Sequence, residues 1–353
     1  MTRVQGVHMH GVNMQFELLN RDKKGLALDL KKEAGTAVVH QMVKNSDVFI
    51  ANYEVSALKK LHLDYATLSR INPSLIYAVV TGYGTFGPDK DERGFDFTAG
   101  WARSGTQALM AEPGGAPPAQ RSGMYDRTTG MHAVAGICAA LFNREKTGKG
   151  QEIELSLYHV GVYTIGTDIQ NALNDLPCMP NDRHRGSPLW NSYRAGDDRW
   201  FQFAMLQSDL HWAGLCRAMG RPDLENDPHF NTLQKRNENN VELIRIMDEV
   251  FATKPRKDWE KPFRQNGVIY GRIETPTEVV NDPQAHANGF FTEIDHPTTG
   301  RMKYVTMPVD FRQNPATVRV AAPQVGQHNE EILLSLGHSW EDISKLKEQG
   351  VIL

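Results

Sequence analysis

Cysteine is scarce in this sequence: Cys138, Cys178 and Cys216 are the only three in 353 residues, with no CxxC or HxxxC spacing among them. An odd number so spread suggests neither a disulfide framework nor a zinc cluster, and it points to a reducing cytoplasm. An excess of one charge is also lacking. With 39 basic against 42 acidic residues and a formal net charge of −3, the balance makes no case for nucleic acid or an anionic membrane, and a small ligand is the expected partner. No uncharged run is long enough to span a bilayer, and the polar opening from Met1 to Gln15 holds no apolar signal-peptide core. There is no GxSxG elbow, no HExxH and no Walker loop ending in GKS or GKT, which argues against those enzyme classes.

What is present is a globular composition, 40% hydrophobic and 23% charged, in a chain long enough for one large domain or two. From Gly25 short apolar runs alternate with helical patterns: GLALDL, a helix over Glu33 to Val43, DVFIANY, one or two helices to Arg70, then LIYAVVTGYG. That rhythm predicts βαβ units and a parallel sheet. The loops after its strands, Ala51-Asn52-Tyr53 and Thr81-Gly82-Tyr83-Gly84, belong at the carboxyl edge, where open α/β sheets bind ligands. A helix from Thr129 to Arg144, a strand from Gln151 to Leu157 and a helix from Tyr158 to Asn171 follow. The Pro-, Asn- and Gly-rich stretch Cys178 to Asn191 reads as a linker. Beyond it a small α+β domain is expected over 195–300, with a strand at Trp200 to Met205, helices at Ser208 to Met219, Asn239 to Thr253 and Arg256 to Asn266, and a strand ending near Phe290 to Ile294. An extended stretch from Pro308 leads to two terminal helices, the second opened by a capping box at Ser339 to Asp342.

Several segments, taken in order, resemble the class III CoA-transferase family of the CaiB/BaiF type, which includes formyl-CoA, carnitine and bile-acid CoA-transferases. Asn20 to Leu30 is similar to its NxxKRSLxLDL stretch, Val48 to Tyr53 to DVxxENF, Asn72 to Tyr77 to NPxLIY, Gly82 to Pro88 to GFGxxGP, and Gly94-Phe95-Asp96 to GYD. Thr129-Gly130, Ala139 to Leu141 and Arg144 to Gln151 answer to the TG, AAL and RxxTGxGQ landmarks, and Gly326 to Ile332 to GxHxxEIL. Gly220 to Leu224, Thr277 to Val279 and Asp282 to Gln284 look like small-domain landmarks. The resemblance spans essentially the whole chain. It implies a Rossmann-like large domain over 1–190 completed by a C-terminal return at 305–353, the small domain inserted between, and an interlocked homodimer, or a heteromer with a paralogue. The chain opens at what corresponds to the tail of the family's first βα unit, which implies a shortened member or a truncated gene model.

The resemblance also implies a reaction: CoA moves between an acyl-CoA thioester and a carboxylic acid, through attack by an aspartate carboxylate and an enzyme-bound CoA thioester. CoA is then a substrate, with no permanently bound cofactor and no metal. At the aspartate's position stands His159, which could attack the thioester, act as a base, or simply start a helix. Asp168, nine positions on, is the nearest downstream carboxylate but lies more than two helical turns away. Asp126 reads as a cap for the helix after it. For the CoA phosphates the carried-over candidates are Lys23, Lys24 and Lys60, unless these form a solvated charged face. Asn52 and Tyr53 match the pair at the adenine end. Glu54 stands where many members have arginine, and a carboxylate there repels phosphate. Racemases of the same superfamily place histidine where this chain has Phe95, which argues against that reading. A noncatalytic subunit partnering an active paralogue is the alternative function.

Overall fold

The structure, a computed structural model, describes residues 6–353, so the first five residues of the polar opening lie outside it. The chain divides into two compact units. The first comprises Met1–Ala108, Ala119–Pro177 and Pro283–Leu353, and the second Leu109–Pro118 and Cys178–Asp282.

The first unit holds a three-stranded parallel sheet with Ile76–Thr81 between Val48–Ala51 and Gln151–Ser156. The central strand, IYAVVT, is apolar on both faces and its first four residues are buried, as a strand covered on both sides requires. Gln151–Ser156 carries Gln151, Glu152 and Glu154 exposed, charges that suit an edge. Helices Glu33–Val43, Val55–Lys60 and Tyr65–Ile71 cover the sheet, and Val43, Leu58, Leu63, Leu68, Leu75, Tyr77 and Val79 form the core there. Asn72, buried, donates from Nδ2 to the carbonyls of Val43 at 3.0 Å and Ser46 at 2.9 Å, tying the end of one helix to the start of the central strand. This explains an asparagine in NPSLIY.

GLALDL differs from its expected place in the sheet. Leu28 makes a single antiparallel bridge with Ile352, and the backbone groups around it are satisfied from the far end of the chain. Gly25 N–H donates to His328 Nδ1 at 3.0 Å, Ala27 N–H to Asn329 Oδ1 at 2.8 Å, and Asp29 N–H to the Val351 carbonyl at 2.8 Å. Leu26 and Leu28 pack with Val38, Leu333, Ile343, Leu346, Val351 and Ile352. The helix expected over Tyr158 to Asn171 is two, Leu157–Thr164 and Gly166–Ala172. Ile165 between them leaves the α region at φ −103°, ψ 32°.

The second unit is α+β. Its antiparallel sheet runs Ser192–Arg194, Trp200–Phe203, Tyr270–Arg272, with helices Ser208–Met219, Asn240–Phe251 and Arg256–Gln265. Tyr193, Phe201, Phe203, Phe251, Trp259 and Phe263 are buried together, with Phe201 edge-on to Phe251 at 4.9 Å between centroids. The strand Phe291–His296 pairs with Gly300–Val305 in the first unit rather than here. Buried Glu17 holds it there, accepting from Tyr304 Oη and Ala322 N–H at 3.0 Å each. The terminal capping box forms, with Ser339 Oγ accepting from Asp342 N–H at 3.1 Å.

Candidate functional site

A cleft of about 790 Å³ opens at the carboxyl ends of the first two parallel strands, wholly within the first unit. Its walls are the turn Ile50–Ser56, the end of the central strand at Val80–Gly82, the loop Lys90–Phe95, and one face of helix Met124–Thr147. Asp126, Thr129, Gly130 and Ala133 make that face, the i, i+3, i+4, i+7 set that a helix presents on one side. Glycine shapes the wall where two backbones touch. A Cβ on Gly82 would lie 2.6 Å from Gly94 Cα, so neither position has room for a side chain.

The cleft carries cations that sequence reasoning missed. Arg93 Nε lies 3.4 Å from Glu54 Oε1 and Lys90 Nζ 3.8 Å from Asp91 Oδ2, all well exposed. Glu54 thus brings its own counter-ion. Asp126 behaves differently: its side chain makes no hydrogen bond or ion pair among the described residues, and it is in the first turn of its helix, whose N-cap is Gly123 with no side-chain cap bond. The expected capping role is therefore not the one observed, because Gly123 in a left-handed conformation starts the helix three residues earlier. Burial, and then the charge of Asp96, push the Asp126 carboxyl above its ordinary range, with Arg127 offsetting in part. Asp96 is itself buried with Oδ2 unpartnered, as is Thr129 with its hydroxyl. Beyond the cleft, Arg103 sits over the rings of Tyr83 at 4.9 Å and Tyr158 at 5.4 Å and pairs with Asp89.

Of the residues singled out from sequence, Asn52, Tyr53, Glu54, Phe95 and Asp126 line the cleft. Lys23, Lys24, Lys60, His159 and Asp168 do not. Lys23 folds back on helix Met14–Asn20, donating to the Leu19 carbonyl at 2.8 Å and Asn20 Oδ1 at 3.2 Å, and burial holds its ammonium pKa below the usual lysine range. Lys24 pairs with Glu331 at 2.5 Å. Lys60 is exposed at the end of helix Val55–Lys60. His159 is exposed on helix Leu157–Thr164, where its amide N–H donates to the N-cap Ser156 Oγ at 3.1 Å. Asp168 is half-buried in the first turn of the next helix. Among the described residues no group of three or more His, Cys, Asp or Glu is placed to hold a metal ion, and no helix is long and apolar enough to cross a membrane.

The sequence matches the profile of CoA-transferase family III over residues 1–329. It is 32% identical over 342 residues to the (R)-2-hydroxy-4-methylpentanoate CoA-transferase of Clostridioides difficile, covering 96% of this chain and 85% of that protein. It is also 32% identical to the cinnamoyl-CoA:phenyllactate CoA-transferase of Clostridium sporogenes, over 97% and 84% of the two chains. The fold is similar to a CaiB/BaiF family protein from Brucella suis, at a TM-score of 0.82 and 28% identity, covering 95% of this chain and 88% of the other. An α/β unit with a cleft at its strand ends, and a family match across nearly the whole sequence, agree: the chain belongs to CoA-transferase family III.

Proposed function

We propose that this protein moves CoA between an acyl-CoA thioester and a 2-hydroxy carboxylic acid, and that the cleft beside Asn52 and Tyr53 takes the CoA thioester. The observation that carries the site is the cleft's position at the carboxyl edge of a parallel sheet, where such sheets bind ligands. Lys90 and Arg93 supply positive charge for phosphate, and the exposed ring of Tyr53 offers a stacking face for adenine. The acceptor class follows the two 32% relatives, both named for 2-hydroxy acids. CoA enters and leaves as substrate; no permanently bound cofactor takes part. We place the protein in the cytoplasm as a homodimer. The exposed apolar row Met124, Met131, Val134 and Phe142 on helix Met124–Thr147 supports the pairing. The test is exchange of labelled CoA between an acyl-CoA panel and free 2-hydroxy acids; CoA transfer to them supports the reading, and none overturns it.

The placement of His159 favours a second reading. An exposed imidazole outside the cleft suits a subunit that binds CoA and supports an active paralogue. Exchange that is absent from the purified chain, and restored only by co-purification with such a paralogue, would select it.

A further inference from the structure

The geometry points to Arg103, acting through Asp89, as the brace that holds the cleft's cation loop in place: Arg103 is a positioning residue for binding of the CoA phosphates. The assignment rests on the cleft reading above, in which Lys90 and Arg93 supply charge for those phosphates. Arg103 itself lines no part of the cleft.

The loop that carries Lys90 and Arg93 is closed at its neck and bare at its tip. At the neck the backbones of Gly82 and Gly94 touch, and a Cβ on Gly94 would lie 3.1 Å from Tyr83 Cε2, so the Tyr83 ring rests against the loop's return. From Phe86 to Arg93 every residue is exposed except Asp89, which is half-buried. A segment so exposed has little apolar contact to fix it. Asp89 is where the tip is held, by its ion pair with Arg103.

Arg103 stands on firm ground. It ends a π-helix, Asp96–Arg103, a wide winding that occurs often at functional sites. That helix packs so closely on helix Leu157–Thr164 that a Cβ on Gly161 would lie 2.3 Å from the Gly100 carbonyl oxygen, and Ser104 Oγ donates to the same carbonyl at 2.6 Å. The guanidinium lies 4.9 Å from the centroid of the Tyr83 ring and 5.4 Å from that of Tyr158, and the two rings meet edge-on at 6.3 Å. Tyr158 N–H donates to the Gly82 carbonyl at 3.0 Å. One planar cation thus joins the turn after the central strand, the start of the helix after the edge strand, and the loop tip at the residue before Lys90. A flat guanidinium can stack on rings and pair with a carboxylate at once, which an ammonium cannot match.

The test is calorimetry with CoA on the full-length protein, in the parent and in a Lys90→Gln/Arg93→Gln background. Arg103→Gln should weaken CoA binding about five- to tenfold in the parent, and by less than about twofold where both loop cations are already gone, because its effect passes through them. Asp89→Asn should weaken binding in the parent as well, and adding it to Arg103→Gln should change little further. Arg103→Lys, which keeps the charge and loses the plane, should fall between parent and Arg103→Gln. Should Arg103→Gln fail to fold, Asp89→Asn carries the same comparison from the loop side. A loss that persists undiminished without the loop cations marks a general support of the fold and overturns the assignment, as does unchanged affinity in Arg103→Gln. If Lys90→Gln/Arg93→Gln binds CoA as tightly as the parent, the cleft reading falls and the positioning role with it.

Discussion

A carboxylate whose pKa is raised by its surroundings costs a fold something when it ionises, and Asp126 is such a group. Its neighbours are Asp96 and Arg127, and across the cleft Glu54, Lys90, Asp91, Glu92 and Arg93. Because its folded pKa is raised, the native state binds its proton more tightly than the unfolded chain. The group's contribution therefore becomes more favourable as pH falls through the folded value, and unfavourable above it. Two measurements follow. Thermal scans at pH 7 should show Asp126→Asn at least as stable as the parent, since the amide removes the repulsion. Where the reaction uses ionised Asp126, the acid limb of kcat/KM should lie above the ordinary aspartate value of about 4; a limb at or below it would show that this carboxylate does not set the rate. A third residue-scale effect concerns Arg93. Glu54→Gln frees the guanidinium, and CoA should bind about two- to fivefold more tightly, the size expected of an exposed ion pair, as calorimetry can read. Asp126 looked like a cap in sequence because it precedes a helical run. What the sequence could not reveal is that Gly123 had already started that helix.

At the scale of elements, helix Met124–Thr147 is amphipathic in an unusual sense. Its cleft face is small and polar, while Met124, Met131, Val134 and Phe142 lie at helical spacing on another face, each more than two-fifths exposed. Val134→Asp with Phe142→Asp should convert the proposed homodimer to monomer in light scattering; an unchanged mass would count against this face as the subunit interface. The small helices and strands of the second unit were legible from periodicity because each carries its own apolar stripe, such as Trp212, Leu215 and Met219 on Ser208–Met219. The cleft cations Lys90 and Arg93 were not, since a charged loop carries no period to say which side chains face a ligand. GLALDL misled for a different reason. Its strand-like alternation is real, but its partners are His328, Asn329 and the last residues of the chain, and pairing across such a separation leaves no local signal.

On the scale of the whole molecule, the second unit carries a self-contained aromatic core, and Phe263→Ala should cost it about 3–5 kcal/mol, seen as a lowered urea midpoint for the fluorescence of its tryptophans, of which Trp212 and Trp259 lie in that core. The first unit depends on the two ends of the chain meeting. Buried Asn329 accepts from Ala27 and donates to the Leu353 carbonyl at 3.5 Å, and Ile352 bridges Leu28. Since the second unit lies between those ends, a ribosome making this protein must finish and release it while the first unit still lacks its closing residues. The strands of the sheet that bears the cleft are all made by Ser156, but the cluster around Leu26, Leu28 and Val38 waits for Leu333, Ile343, Leu346, Val351 and Ile352, so the first unit is begun early and its packing completed late.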